Sequence, residues 1–182
     1  MPDMDRSIAE QPAAPLAIIV MGVSGSGKST LGERLAAAFD CPFLEGDTFH
    51  DAAAIAKMRG GEPLTDADRW PWLDRLGRAL AVAAQAEGRA VATCSALKRA
   101  YRERLAAAVG GATRFVLLDN DRDILARRLA ARPGHYMPAS LIDSQLATLE
   151  RPGPDEPVLT LGSNTPPERL CAAAKAWLDG GG

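Results

Sequence analysis

A chain of 182 residues, 47% apolar and 24% charged, has the balance of an ordinary globular domain and the length for one compact unit; this excludes a disordered or fibrous polymer and two full domains. The formal charge is −2 with Arg and Lys scattered along the chain, which gives neither the basic footprint of a nucleic-acid binder nor a polybasic membrane anchor, so any phosphate binding must be local. Cys41, Cys94 and Cys171 are odd in number, far apart and free of C-x-x-C or His-paired spacing, the pattern of reduced thiols rather than of a disulfide framework or a metal site.

Residues 1–15 are polar, with Asp3, Asp5 and Glu10 and no apolar run. They read as a frayed tail of a cytoplasmic protein and not as a signal peptide, leaving residues 16–182 as the single domain. Residues 16–21 are continuously apolar, as a strand covered on both faces reads, and the run is far shorter than the roughly twenty residues that cross a bilayer. A glycine-rich turn leads into a helix over 29–39, with Leu31, Leu35, Ala38 and Phe39 at helical spacing. A short strand at 42–44 ends at Gly46-Asp47, and a helix over 51–58 is stopped by Gly60-Gly61. Thr65 and Asp68 form a T-x-x-D start signal for a long helix to about residue 86, with Pro71 in its first turn. Strand 90–94, helix 97–109, strand 114–118 and helix 121–131 follow. Arg132-Pro133-Gly134 breaks the pattern before a helix over 139–149, a linker over 152–157, a fifth strand at 158–161 and a closing helix over 167–178. This βαβα alternation builds a parallel sheet with helices on both faces, and ligands at the carboxyl ends of its strands.

The strongest chemical signal is Gly22-Val23-Ser24-Gly25-Ser26-Gly27-Lys28-Ser29, a G-x-x-x-x-G-K-[ST] loop between a strand and a helix. Successive backbone N–H groups of such a loop turn inward onto phosphate oxygens along a path that side chains would obstruct. Lys28 reaches the β and γ phosphates, the Ser29 hydroxyl suits Mg²⁺, and the helix N-terminus adds its positive end. Gly22, Ser24, Gly25, Ser26, Gly27, Lys28, Ser29 and Thr30 are therefore the nucleotide-binding set. GTPases and motors use the same loop with a metal-linked Asp after another strand, whereas the third strand here ends Ala92-Thr93-Cys94-Ser95. That favours a kinase of small metabolites, with Mg²⁺ held by Ser29, water and the nucleotide itself.

Residues 21–30, Gly46-Asp47 with His50, residues 55–58 and 63–73, Cys94-Ser95-Ala96-Leu97-Lys98 with Tyr101-Arg102, and Gly134-His135-Tyr136-Met137-Pro138 resemble the gluconate kinases of the P-loop superfamily. The resemblance implies a three-layer αβα fold of the nucleoside-monophosphate-kinase type: a five-stranded parallel sheet of order 2-3-1-4-5, a substrate region at about 47–73 and a small helical lid at about 132–150. It also implies ATP-dependent phosphorylation of D-gluconate to 6-phosphogluconate, and a homodimer.

The residues themselves agree with that chemistry. Asp47 follows the second strand, where its carboxylate can orient a sugar hydroxyl and accept its proton, although an Asp there can equally cap a turn. His50 is a substrate hydrogen-bond partner or a solvated surface histidine. Arg69 is the leading candidate to grip the gluconate carboxylate in a two-pronged contact, the alternative being a salt bridge to Asp66 or Asp68. Lys57, Lys98 and Arg102 are lesser cationic candidates, Ser95 is a neutral hydroxyl partner, and Trp70 and Trp72 read as packing. Arg128 and Arg132 lie four residues apart on one helical face; the resemblance implies that they meet the adenine and the transferring phosphoryl when the lid closes. His135, Gln145 and Glu150 match the family lid without an assignable role. Residues 160–166 depart from the family, which usually has an acidic residue and a shorter turn there, and this loop is expected to border adenine. The competing readings are a shikimate-kinase-like enzyme of the same fold and a regulatory module that binds nucleotide without turnover.

Overall fold

The computed structural model describes residues 14–131, 139–162 and 164–181. The proposed tail up to residue 13, the break at 132–138 with Arg132, His135 and the Gly134 to Pro138 motif, and Ser163 lie outside them. The strands are β1 (Leu16–Met21), β2 (Phe43–Leu44), β3 (Arg89–Thr93), β4 (Ala112–Asp119) and β5 (Val158–Gly162). The helices are α1 (Lys28–Phe39), α2 (Ala52–Arg59), α3 (Asp66–Glu87), α4 (Arg99–Val109), α5 (Arg122–Ala130), α6 (Ala139–Thr148) and α7 (Pro167–Asp179). All strand pairs are parallel and their order is β2-β3-β1-β4-β5, as the resemblance implies.

Apolar β1 is covered on both sides. Ala17, Ile19 and Met21 pack with Leu73, Leu76 and Leu80 of α3 and Leu105 of α4, while Ile18 and Val20 pack with Leu31 and Leu35 of α1 and Leu170 and Ala174 of α7. Each fully buried Val, Leu or Ile contributes about 1.5–3 kcal/mol, so the central strand is the best-stabilised element and the loop it feeds starts from a rigid point. A third apolar cluster, Val23, Leu97, Leu125, Leu129 and Ile142, lies under α5 and α6 and joins them to the glycine-rich loop. Among the described residues no helix is long and apolar enough to cross a membrane.

Local signals place most boundaries within two residues. Thr65 and Asp68 form a reciprocal capping box at the start of α3. Pro71 stands in the second turn of that helix, not the first; it is exposed, so the helical bond it cannot donate leaves a solvent-side carbonyl. Residues 46–49 form a 3-10 turn that periodicity does not reveal. Helix α4 starts at Arg99, two residues later than expected, because Ala96 adopts a left-handed conformation with φ of 45° and the Arg99 N–H is capped by the Glu150 carboxylate at 2.8 Å.

Arg102 is the largest fully buried side chain and does not reach the substrate region, which corrects its assignment as a substrate ligand. Its guanidinium grips Glu156 at 2.6 and 3.0 Å and donates to the carbonyls of Ala96 and Leu97, pinning the segment before β5 onto α4. These hydrogen bonds hold the Glu156 carboxyl below its ordinary value of 4.5. The folded-state value being the lower one, the pair's contribution is complete above the ordinary range and is lost as pH falls through the lowered value. Removing one partner strands a charge whose side chain is only 10% exposed. Arg102→Ala is therefore expected to destabilise by about 3–5 kcal/mol in denaturant unfolding. Arg99→Ala, which breaks exposed, solvent-screened pairs with Glu103 and Asp155, is expected to change stability far less than Arg102→Ala.

Candidate active site

The glycine-rich loop leaves the end of β1 and turns directly into α1. Gly25 and Gly27 have φ of 81° and 96°, left-handed values that side chains resist, and a Cβ on Gly22 would stand 2.8 Å from the Leu118 carbonyl oxygen. Lys28 Nζ lies over the loop and donates to the Val23 carbonyl at 3.0 Å. The Ser26 hydroxyl is buried and has no hydrogen-bond partner among the described residues. Arg128 reaches across from α5, donating to the Ser26 carbonyl at 3.2 Å and to Asn120 Oδ1 at 3.3 Å. A cavity of about 390 Å³ is lined by Gly25, Ser26, Gly27, Thr30 and Arg128 on one side and by Thr165 and Pro167 on the other. Five of the expected nucleotide ligands, Gly25, Ser26, Gly27, Thr30 and Arg128, thus share one cavity with Thr165 of the loop expected near adenine. Within the loop the Ser26 N–H donates to the Val23 carbonyl at 3.2 Å, and the Ser24 N–H donates to Gln145 Oε1 of α6 at 2.7 Å.

Glu45 is a candidate that the sequence pattern does not reveal: its carboxylate stands not after the third strand but at the tip of β2, just before Gly46-Asp47. Glu45 Oε2 accepts from the Ser29 hydroxyl at 2.6 Å, and Oε1 accepts from the Thr93 hydroxyl at the end of β3. Thr93 Oγ1 in turn accepts from the Gly46 N–H at 3.1 Å. A hydroxyl and a carboxylate side by side at the start of the phosphate-loop helix are hard oxygen donors of the kind Mg²⁺ prefers. Among the described residues no group of three or more His, Cys, Asp or Glu side chains forms a metal cage.

The same strand tip carries the acceptor-side candidates. Asp47 is exposed on the 3-10 turn. His50 stacks on Trp72 with ring centroids 4.1 Å apart, while Trp72 Nε1 donates to the Gly46 carbonyl at 2.7 Å and Arg75 Nε to the Phe49 carbonyl at 3.0 Å. One face of α3 therefore holds the turn from both ends. Burial lowers the His50 pKa, the nearby Arg69 and Arg75 charges lower it further, and Asp47 and Asp51 oppose them. His50 Nδ1 and Arg69 Nε are both buried without a hydrogen-bond partner among the described residues, although the Arg69 Nη2 donates to the Leu64 carbonyl at 3.3 Å and the guanidinium lies 5.4 Å from the Tyr101 ring centre. Ser95 joins the two halves of the site, its carbonyl accepting from the Gly22 N–H at 3.3 Å.

Other predicted cations are already engaged. Lys57 bridges both Asp68 oxygens at 2.9 Å, which, with the Thr65 cap, holds the Asp68 carboxyl at about 2. Lys98 donates to Asp66 at 3.1 Å, and the Tyr101 hydroxyl bonds the same carboxylate. With Asp66 and Asp68 so occupied, the alternative of a surface salt bridge to Arg69 gives way to an arginine aimed elsewhere. Cys94 is fully buried and its thiol is pushed up to about 12, so it serves as a neutral packing group.

A phosphate loop on the central strand of a 2-3-1-4-5 sheet, with acidic residues at the tip of β2, defines a P-loop kinase of small substrates. Residues 18–152 match the family model described as an AAA domain. The gluconokinase of Gluconobacter oxydans (strain 621H) is 49% identical over 154 residues, covering 85% of this chain and 86% of that protein. The thermosensitive gluconokinase of Escherichia coli (strain K12) is 42% identical over 138 residues, covering 76% and 73%. The crystal structure of a gluconokinase from Sinorhizobium meliloti 1021 superposes with a TM-score of 0.81 at 44% identity, covering 91% of this chain and 92% of that one. The chain belongs to the gluconokinase family.

Two outcomes follow from the site's electrostatics. Lys28→Ala is expected to keep the native circular dichroism and thermal midpoint while turnover falls by on the order of 10²-fold or more, since the ammonium stands against the glycine-rich loop and not in the core. For His50 the folded-state pKa is the lower one, so the unfolded chain binds the extra proton and stability declines as pH drops below the ordinary value of 6.5. His50→Gln should flatten that part of the stability profile, measured by urea unfolding between about pH 5 and 7.

Proposed function

We propose that this chain is an ATP-dependent gluconokinase that transfers the γ-phosphoryl group of ATP to the 6-hydroxyl of D-gluconate, releasing ADP and 6-phospho-D-gluconate. The observation that carries the substrate is the pair of buried nitrogens without a hydrogen-bond partner among the described residues, Arg69 Nε and His50 Nδ1, with exposed Asp47 close enough to act on His50. A polyol with one carboxylate satisfies that set: Arg69 takes the carboxylate, and His50, kept neutral by burial, exchanges hydrogen bonds with hydroxyls. Asp47 orients the terminal hydroxyl and accepts its proton as the oxygen attacks phosphorus. Ser95 serves as a further polar partner between the acceptor and the loop.

On the donor side the backbone N–H groups of Gly25, Gly27, Lys28 and Ser29 hold the phosphates and the Lys28 ammonium neutralises charge on the β and γ groups, with Gly22, Ser26 and Thr30 completing the cradle. Arg128, already against the Ser26 carbonyl, stabilises the charge that spreads over the transferring phosphoryl, a role that the family resemblance extends to Arg132. Ser29 and Glu45 are the residues that would hold Mg²⁺, which would supply positive charge to the phosphate oxygens. Lys57 and Lys98 border the acceptor region as the partners of Asp68 and Asp66. A cytoplasmic setting and a homodimer belong to the same reading, on the strength of the family resemblance.

The test is ADP release with Mg-ATP and a panel of gluconate, shikimate, glucose, glycerate and nucleoside monophosphates. Gluconate is expected to lead; glucose lacks the carboxylate and leaves Arg69 unpaired in a partly desolvated site, so its kcat/KM should be lower by about 10²-fold or more. Shikimate or a nucleotide outpacing gluconate by about tenfold would overturn the substrate while leaving the P-loop kinase in place. Tight Mg-ATP binding with no acceptor above background hydrolysis would instead favour a regulatory module.

A further inference from the structure

Gln145 and Ser24 lie 121 residues apart in sequence and meet through a two-point contact. The Ser24 N–H donates to Gln145 Oε1 at 2.7 Å, and Gln145 Nε2 lies 3.2 Å from the Ser24 hydroxyl oxygen. A carboxamide is the side-chain group that accepts from the N–H and donates to the hydroxyl without bringing a charge; glutamate supplies no donor, and methionine or leucine supplies neither bond. Ser24 is the third residue of the phosphate loop, so its N–H is withdrawn from the inward-turned set, as is that of Ser26, which donates to the Val23 carbonyl, and the anion is left to the remaining N–H groups.

The helix presenting Gln145 is fixed at both ends of the site. Ile142, Leu146 and Leu149 pack with Val23, Leu125 and Leu129 beneath the loop. Just past α6, the Glu150 N–H donates to the Leu97 carbonyl at 2.8 Å and its carboxylate caps α4 at the Arg99 N–H. One short stretch of chain therefore touches the leading edge of the phosphate loop and the end of the Cys94 to Lys98 segment.

We infer that Gln145 is a positioning residue for phosphoryl transfer: by clasping Ser24 it sets the leading edge of the phosphate loop relative to the acceptor hydroxyl, without itself contributing to nucleotide affinity. This rests on the kinase reading above. A neutral clasp also suits the place, because a carboxylate there would stand beside the most highly charged part of the nucleotide.

The experiment compares full-length wild type, Gln145→Met, Gln145→Glu and Ser24→Ala by steady-state kinetics with Mg-ATP and gluconate, calorimetric titration with Mg-ADP and thermal unfolding. Gln145→Met should lower kcat by about 10- to 100-fold, the penalty of a misplacement near 1 Å, with the Mg-ADP Kd within about threefold of wild type. Gln145→Glu keeps the bond from the Ser24 N–H but should raise the KM for Mg-ATP as well as lower kcat. Ser24→Ala keeps the N–H bond and should be milder than Gln145→Met. Wild-type kcat in Gln145→Met overturns the inference, as does a parallel loss of kcat, Mg-ADP affinity and thermal midpoint, which marks a purely structural contact. A wild-type chain that does not turn over gluconate overturns the functional reading and this inference with it, whereas an active wild type beside an unaffected Gln145→Met overturns this inference alone.

Discussion

The Glu45 carboxylate is tied at once to Thr93 at the end of β3 and to Ser29 at the start of α1, and the relative placement of the two halves of the site depends on that double contact. Strand β2 is only two residues long and pairs with β3 through Phe43 and Leu44 alone. Such a short edge element would fray if its tip were not fastened. The fastening is tight: the backbone at Gly46 runs so close to β3 that a Cβ would stand 1.8 Å from the Thr93 carbonyl oxygen, and the Trp72 indole holds the Gly46 carbonyl from the other side. Asp47 and His50 inherit their position from these contacts, and the phosphate loop inherits its own from buried β1.

A division of cationic groups follows from the same packing. Arg102, Lys57 and Lys98 hold elements together through Glu156, Asp68 and Asp66, which ties the 150s segment, α2 and α4 around the acceptor region. Arg69 and Arg128 are directed differently, one toward the half-buried space beside His50 and Tyr101, the other onto the carbonyl of Ser26 in the phosphate loop. Among the described residues no ion pair ties Arg69 to a carboxylate, so the charge pairs that hold these elements together leave its guanidinium aside.

What the chain made legible was local. The apolar run of β1, the glycine-rich loop, the Thr65 and Asp68 capping box and the βαβα alternation are patterns within a few residues, and the fold follows them closely. What it hid was tertiary. Nothing near Arg102 announces that Glu156, 54 residues away, will neutralise it, and nothing near Glu45 announces that Ser29 and Thr93 will converge on it. Gln145 reads as an ordinary polar residue of a helix until the fold brings it to Ser24. The 3-10 turn over residues 46–49 is likewise set by Trp72 and Arg75 of α3 rather than by its own composition.

On the proposed division of work, the loop after β1 holds the nucleotide and the turn after β2 activates the acceptor. Its most direct test is Asp47→Asn, which keeps size and removes the basic carboxylate, measured by kcat for gluconate and by the Mg-ADP dissociation constant on the same preparation. The account predicts a fall in kcat of about 10²-fold or more with the dissociation constant nearly unchanged. A selective loss of nucleotide binding, with kcat at saturation preserved, would place Asp47 on the metal side and contradict the division.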